Sequence, residues 1–118
     1  MIKFIHCIKA KPELTAAEFR KFFRSDELLS LIQRMATLTN AVDYKLGLRL
    51  EIEINVELMR SRNGAAPFDG VIEILWENGK ELMQFTASEE FQGVMEQMDR
   101  YQSQFVDFSR SSRFFMET

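Results

Sequence analysis

Val42-Asp43-Tyr44-Lys45-Leu46-Gly47-Leu48-Arg49-Leu50-Glu51-Ile52-Glu53-Ile54-Asn55-Val56-Glu57-Leu58 is the most regular stretch of the chain. Every even position is apolar or aromatic, and every odd position is charged, polar or glycine. A helix turns by about 100° per residue and cannot gather such a pattern on one side, whereas a strand does so automatically. The spacing predicts a strand over 42–58. Kept straight, it would span about 55 Å, yet a domain of this chain length is about 30–35 Å across. The segment therefore has to bend, break or leave its own subunit, and Gly47 is the expected bulge position. The earlier part, 42–50, is expected to pair within its own sheet. The later part, 51–58, is expected to continue to the edge and pack on a second subunit, with Glu51, Glu53 and Glu57 on the wet side.

Working outward, residues 60–67 read as a loop, with Asn63-Gly64 and Pro67 as its turn signals. Gly70 to Trp76 is the next strand, with Val71, Glu73 and Leu75 on one face and Ile72, Ile74 and Trp76 on the other. Asn78-Gly79 turns the chain into a short helix over 80–86. Ser88 caps a longer helix whose stripe is Phe91, Val94, Met95, Met98 and Phe105, and 112–117 is a terminal strand. Upstream, residues 2–10 form a strand with Ile2, Phe4, His6 and Ile8 on one face and Ile5 and Cys7 on the other. Apolar residues on both faces mark a central strand, and Lys11-Pro12 ends it. Thr15 and Glu18 form a capping box. Phe19, Phe22, Phe23, Leu28, Leu29, Ile32 and Met35 then recur at helical spacing, predicting a helix over 15–36 with a kink at Ser25-Asp26.

Strand, helix, strand, strand, helix, strand is a split β-α-β order. It implies an α+β fold: an antiparallel four-stranded sheet with helices on one face. The other sheet face also carries apolar side chains, and this order leaves no helix to cover it. A second copy of the sheet is the natural cover, which predicts a homodimer closed as a two-sheet barrel.

The totals bound the rest. A chain of 118 residues, 46% hydrophobic and with eleven Phe, is expected to be a single domain over 1–118 with one core. The formal charge of −3 and the lack of a basic stripe argue against nucleic acid. No apolar run approaches a membrane span. The opening MIKFIHCIKAKPEL has too short an apolar stretch and no small-residue cleavage site, so no signal peptide is expected. A single cysteine, Cys7, leaves no internal disulfide, and the cytoplasm is the expected compartment.

Several stretches resemble the EthD family. Met1-Ile2-Lys3, Lys11-Pro12 and Glu18-Phe19-Arg20-Lys21 with Phe23 are similar to its first strand and helix. Phe68-Asp69-Gly70-Val71-Ile72-Glu73-Ile74-Leu75-Trp76 resembles its aromatic-Asp-Gly-Val-x-Glu strand. Asp99 and Phe105-Val106-Asp107 resemble its last helix. The resemblance implies a ferredoxin-like subunit and a dimeric α/β barrel. It further implies a link to oxidoreductase or monooxygenase-type catabolism of small apolar compounds. Similar barrels also include lactone isomerases and polyketide-type cyclases, so the fold by itself names no reaction. The family's first helix usually carries a His in an aromatic-x-x-x-His pattern. Here Phe23-Arg24-Ser25-Asp26-Glu27 puts Glu27 at that place, and the imidazole is missing.

Candidate site residues follow from ionisable groups in apolar settings. His6, the only histidine, suits general acid–base work, or is a core imidazole satisfied by hydrogen bonds. Glu73, with apolar neighbours on both sides, is a second catalytic candidate, or else pairs with Lys3, Lys45 or Arg49 across the sheet. Tyr44 is a candidate to position a substrate. Asp26 and Glu27 are candidate substrate-binding groups through the family position they occupy, or a solvated helix face. No Gly-rich phosphate loop, CxxC pair or nucleophile elbow is present, so no cofactor or metal is expected. Three kinds of function remain open. One is cofactor-independent proton transfer on a small apolar, aromatic or lactone-like molecule. The second is a non-catalytic dimer that binds such a ligand or a partner in the service of an oxidoreductase system. The third, favoured if Phe and Leu side chains close the pocket, is purely structural.

Overall fold

The computed structural model describes residues 1–118, the side chain of Glu81 excepted. Its elements are β1 (Ile2–Ile8), α1 (Ala16–Phe23), α2 (Asp26–Leu38), β2 (Asp43–Leu48), α3 (Glu53–Ser61), β3 (Gly70–Trp76), α4 (Gly79–Phe85), α5 (Glu89–Gln102) and β4 (Ser112–Glu117), with a 3-10 turn at Phe108–Arg110. The sheet has the order β2-β3-β1-β4, and all neighbours are antiparallel. The split β-α-β arrangement is present, with β1 and β3 central.

Register decides which side chains share a face. Phe4 lies opposite Ile74 and Phe115, and His6 opposite Ile72 and Arg113. Tyr44 and Leu46 lie opposite Ile74 and Ile72. This face meets the helices, and its core includes Ile8, Phe23, Leu28, Ile72, Ile74 and Phe105. Lys3, Ile5, Cys7, Val71, Glu73 and Leu75 occupy the other face, none of them fully buried.

The helix expected over 15–36 is two helices. Ser25 adopts an extended backbone (φ −70°, ψ 151°), and its hydroxyl accepts from the Leu28 N–H at 3.1 Å. A residue that caps a new helix ends the old one. Tyr101 of α5 secures the break: its hydroxyl donates to the Phe22 carbonyl at 3.0 Å and meets the Ser25 hydroxyl. Asn40, in the left-handed region at φ 56°, closes α2, with the Ala41 N–H donating to the Ala36 carbonyl at 2.9 Å in a Schellman motif.

The long alternating segment departs most from expectation. β2 stops at Leu48, and the strand expected over 51–58 is instead helix α3. Pairing explains this. Leu48 already lies opposite Gly70, the first residue of β3, and the last contact is the Arg49 N–H to the Asp69 carbonyl at 3.0 Å. Past that point a strand would have no neighbour for its backbone groups, whereas a helix satisfies them internally. Asn63-Gly64 supplies the stop: Asn63 is left-handed at φ 50°, and the Gly64 N–H donates to the Met59 carbonyl at 2.8 Å. Alternation wound into a helix splits into two stripes. Val56 and Met59 are half-buried, while Ile54 and Leu58 are 56% and 64% exposed. The expected bulge is also absent, because Gly47 sits in unbroken register opposite Val71. The radius of gyration is 15.3 Å, against about 13.5 Å for a compact chain of this length, in keeping with an α3 that stands off the body.

Candidate functional site

Between the helix-facing side of the sheet and α4 and α5 lies a cavity of about 390 Å³. Its wall is mostly apolar and aromatic. Phe4 packs on Phe115 with ring centroids 5.3 Å apart, and Phe115 on Trp76 at 6.0 Å. Met95 and Met98 of α5 close the opposite side. Apart from Thr86, whose hydroxyl donates to the Met83 carbonyl of its own helix at 3.1 Å, three polar side chains interrupt this lining: His6, Gln102 and Arg113. Each is placed by periodicity. His6 shares the inward face of β1 with Phe4 and Ile8, Arg113 sits directly across the β1–β4 ladder from it, and Gln102 lies one turn beyond Met98 on α5.

His6 is 5% exposed and Gln102 3% exposed. Neither side chain hydrogen-bonds to another described residue, yet neither has its polar atoms sealed off. Their polar atoms therefore reach the cavity space. Polar atoms that open into an apolar chamber give a ligand its few points of orientation. Burial lowers the His6 pKa to about 4, helped by the positive charge of Arg113 and opposed by Asp99. The imidazole is neutral at pH 7, with one nitrogen lone pair free to accept a hydrogen bond or a proton. Arg113 is about half exposed and lies 3.7 Å from Asp99, so a guanidinium stands beside the imidazole at the mouth of an apolar chamber.

The other sequence candidates lie elsewhere. Glu73 projects from the opposite sheet face, pairs with Lys3 at 3.3 Å and is about a third exposed. It does not share a site with His6, since adjacent β1 and β3 positions alternate faces. Tyr44 faces the helices, but its hydroxyl accepts from Gln33 at 2.9 Å in the groove between β2 and α2, away from the cavity lining. Asp26 and Glu27 are exposed in the first turn of α2, where carboxylates complement the helix dipole. Cys7 is on the far face, its thiol pushed up by burial and then by Glu73. Arg113 and Gln102 were not singled out from sequence. Gln102 is legible as a polar residue inside the apolar α5 stripe, and Arg113 as a charge directly before the apolar run Phe114-Phe115-Met116. Among the described residues no group of three His, Cys, Asp or Glu side chains is placed to hold a metal ion, and no helix is long and apolar enough to cross a membrane.

No family profile matches the chain, and no curated protein matches it in sequence. Solved structures do match along its whole length. A dimeric protein of unknown function and ferredoxin-like fold from Bacteroides fragilis superposes with a TM-score of 0.62 at 8% identity, over 99% of this chain and 95% of the other. An ethyl tert-butyl ether degradation (EthD) family protein from Bacillus halodurans gives 0.61 at 14% identity, over 100% and 98%. SnoaB, a cofactor-independent oxygenase from Streptomyces nogalater, gives 0.54 at 12% identity, over 99% and 91%. The likeness is one of fold. The chain is a ferredoxin-like α+β protein built as the EthD family protein is built, and the expected architecture holds.

Proposed function

We propose that the chain binds a small, ring-bearing apolar molecule in the cavity beneath β1 and β4, and that His6 takes a proton from it without a cofactor. The observation that carries this reading is the pair of polar side chains without a protein partner, His6 and Gln102, inside a mostly apolar chamber of about 390 Å³. That volume suits a ligand of one to three rings. A hydroxyl or an acidic C–H directed at the neutral imidazole passes its proton to the ring nitrogen as the anion forms beside it. The anion's charge offsets the burial and the Arg113 charge that otherwise lower the imidazole pKa to about 4. The enolate or phenolate left behind faces Arg113, whose charge stabilises it, and the new imidazolium adds to that stabilisation. The Gln102 amide can hold a second ligand oxygen.

The shared fold with an EthD family protein and with a cofactor-independent oxygenase supports placing this chemistry in monooxygenase-type handling of small apolar compounds. Isomerisation or cyclisation of a lactone or polyketide-like molecule uses the same first step. The protein acts as a homodimer in this reading. Ile5, Val71 and Leu75 on the helix-free sheet face, with Phe114 and Met116 exposed on β4, supply an apolar surface for a second copy, and the Bacteroides fragilis protein of the same fold is dimeric.

The test is titration with 1-naphthol and with its methyl ether, followed through the imidazole resonances of His6. 1-Naphthol should bind and shift those resonances, and His6→Leu, which removes the acceptor, should abolish the preference for the naphthol over the ether. Absence of binding at millimolar ligand, or binding that leaves His6 unmoved, would sink the proposal.

A further inference from the structure

α3 buries none of its nine residues, yet its root is fixed. Arg49 pairs with Asp69 at 2.9 Å, the Asn55 side-chain amide donates to the Leu50 carbonyl at 2.8 Å, and the Gly64 N–H closes the far end on the Met59 carbonyl at 2.8 Å. A projection held this firmly is a built arm. It carries Leu50, Ile52, Ile54 and Leu58 at 62%, 46%, 56% and 64% exposure, with Glu51, Glu53 and Glu57 between them. Ile54 and Leu58, one turn apart, make a single apolar ridge.

The second unpartnered surface is β4. It is a sheet edge, all six of its residues are exposed, and Phe114, Phe115 and Met116 stand consecutively at 43%, 55% and 43% exposure. Natural sheets seldom leave such an edge uncovered. Arg110 ends the turn just before it, and Arg113 is its second residue. Their contacts with Asp107 and Asp99, at 3.8 and 3.7 Å, leave both guanidinium groups more than half exposed.

We propose that α3 of one copy docks along β4 of a second copy and walls the mouth of that copy's His6 cavity. The inference rests on the dimeric, cavity-binding reading given above and adds what completes the cavity. Charge favours this occupant: the first two turns of the arm present Glu53 and Glu57, while β4 and the 3-10 turn before it present Arg113 and Arg110. Topology favours it as well. β2 and β4 are the two free edges of the sheet, and α3 leaves from the end of β2. A twofold pairing that sets β2 beside the partner's β4 covers both edges at once and carries each arm along the partner's β4. Arg113, Phe114 and Phe115 belong to β4 and line the cavity. A helix docked on them therefore brings its own Ile54 and Leu58 to the ligand's surroundings, and the site is incomplete in one copy alone.

Two measurements test this. The first uses Ile54→Asp combined with Leu58→Asp, which alters exposed positions and should leave the circular dichroism of the subunit unchanged. Sedimentation equilibrium should show the dimer dissociation constant raised by at least about tenfold, as for loss of a contact worth about 1.4 kcal/mol, and 1-naphthol affinity should fall with it. The second mixes two Cys7→Ser chains, one with Glu57→Cys and the other with Arg110→Cys, under mild oxidation. A disulfide dimer holding one chain of each kind is expected. If the unaltered protein is monomeric and binds no naphthol, the cavity-and-dimer reading fails and this inference with it. If it dimerises and binds naphthol, but the double variant behaves identically or the mixed disulfide does not form, the arm inference alone is overturned. Binding of the unaltered dimer to phosphatidylcholine vesicles that is lost in the double variant would assign the arm to a lipid surface and overturn it equally.

Discussion

Asp69 holds Arg49 at 2.9 Å through Oδ1 while its Oδ2 accepts the backbone N–H of Ala10 at 2.7 Å. One carboxylate thus ties the end of β1 and the root of the α3 arm to the start of β3. Asp69 sits in the aromatic-Asp-Gly stretch that opens β3, and the neighbouring residues serve the same corner. Lys9 lies over the Phe68 ring at 5.9 Å and donates to the Pro67 carbonyl at 2.8 Å. The motif is a structural joint, far from the cavity lining.

Replacing Asp69 by Ala should remove two hydrogen bonds that involve a charged group, each worth about 1.5–3 kcal/mol. Both partners are only about a quarter exposed, so screening reduces the effect without removing it. Urea unfolding is expected to show a loss of about 3 kcal/mol, with Asp69→Asn recovering part of it. A change within about 0.5 kcal/mol, the range of an ordinary surface substitution, would contradict the joint.

Gly70 follows for a steric reason. A Cβ built there would lie 2.8 Å from Cε2 and 3.1 Å from Cζ of Phe23, and Phe23 is 2% exposed and cannot swing away. Gly70→Ala should cost about 1–3 kcal/mol as overpacking. A double-mutant cycle with Phe23→Leu should return about 1 kcal/mol of that as coupling. Additive effects would mean that the two residues do not clash.

Thr39 links α2 to β3 at the other end of the sheet. Its hydroxyl donates to the Met35 carbonyl at 2.7 Å and accepts from the Trp76 indole N–H at 3.0 Å, with both residues buried. Thr39→Val keeps the shape but leaves the indole N–H without an acceptor. The expected loss is about 1–3 kcal/mol, read by unfolding and by a blue-shifted Trp76 emission. An unshifted spectrum and unchanged stability would rule out the bond.

Much of this architecture was legible, because apolar alternation and caps are local signals. The β1 and β3 faces, the Thr15–Glu18 box and the Ser88 cap all follow from neighbours in sequence. α3 was not legible in the same way. Residues 51–58 alternate as well as 42–48 do, and the difference between them is whether a partner strand remains, which depends on where β3 begins and not on the segment itself. The candidate site divides along the same line. His6 was legible as an ionisable group on an inward strand face. Glu73 satisfied the same criterion, but the alternation that sends Ile72 and Ile74 inward sends it outward. Arg113 becomes a site residue only through the β1–β4 register, a contact between the two ends of the chain.

The last prediction concerns His6 and pH. Burial, reinforced by Arg113, lowers its pKa in the folded protein to about 4, while an unfolded chain binds a proton near pH 6.5. Above about pH 6.5 neither state carries that proton, and the group leaves stability unchanged. Between about pH 6.5 and 4 the unfolded state holds one more proton than the folded state, so stability falls as pH falls. Below about pH 4 both states are protonated and the loss is complete, at a total on the order of 3 kcal/mol. His6→Gln cannot make this exchange, although it keeps a polar side chain at the site. Measured side by side from about pH 8 to about pH 4, the two proteins share the titration of their carboxylates, and the difference isolates the imidazole. The variant should gain on the unaltered protein by about 2–3 kcal/mol over that range. The His6 Cε1–H resonance should show no midpoint near 6.5, and Asp99→Asn should push the midpoint lower still, since it removes a charge that favours the imidazolium. A flat difference between the proteins, or an ordinary imidazole titration, would mean that His6 is solvated and not enclosed by the cavity.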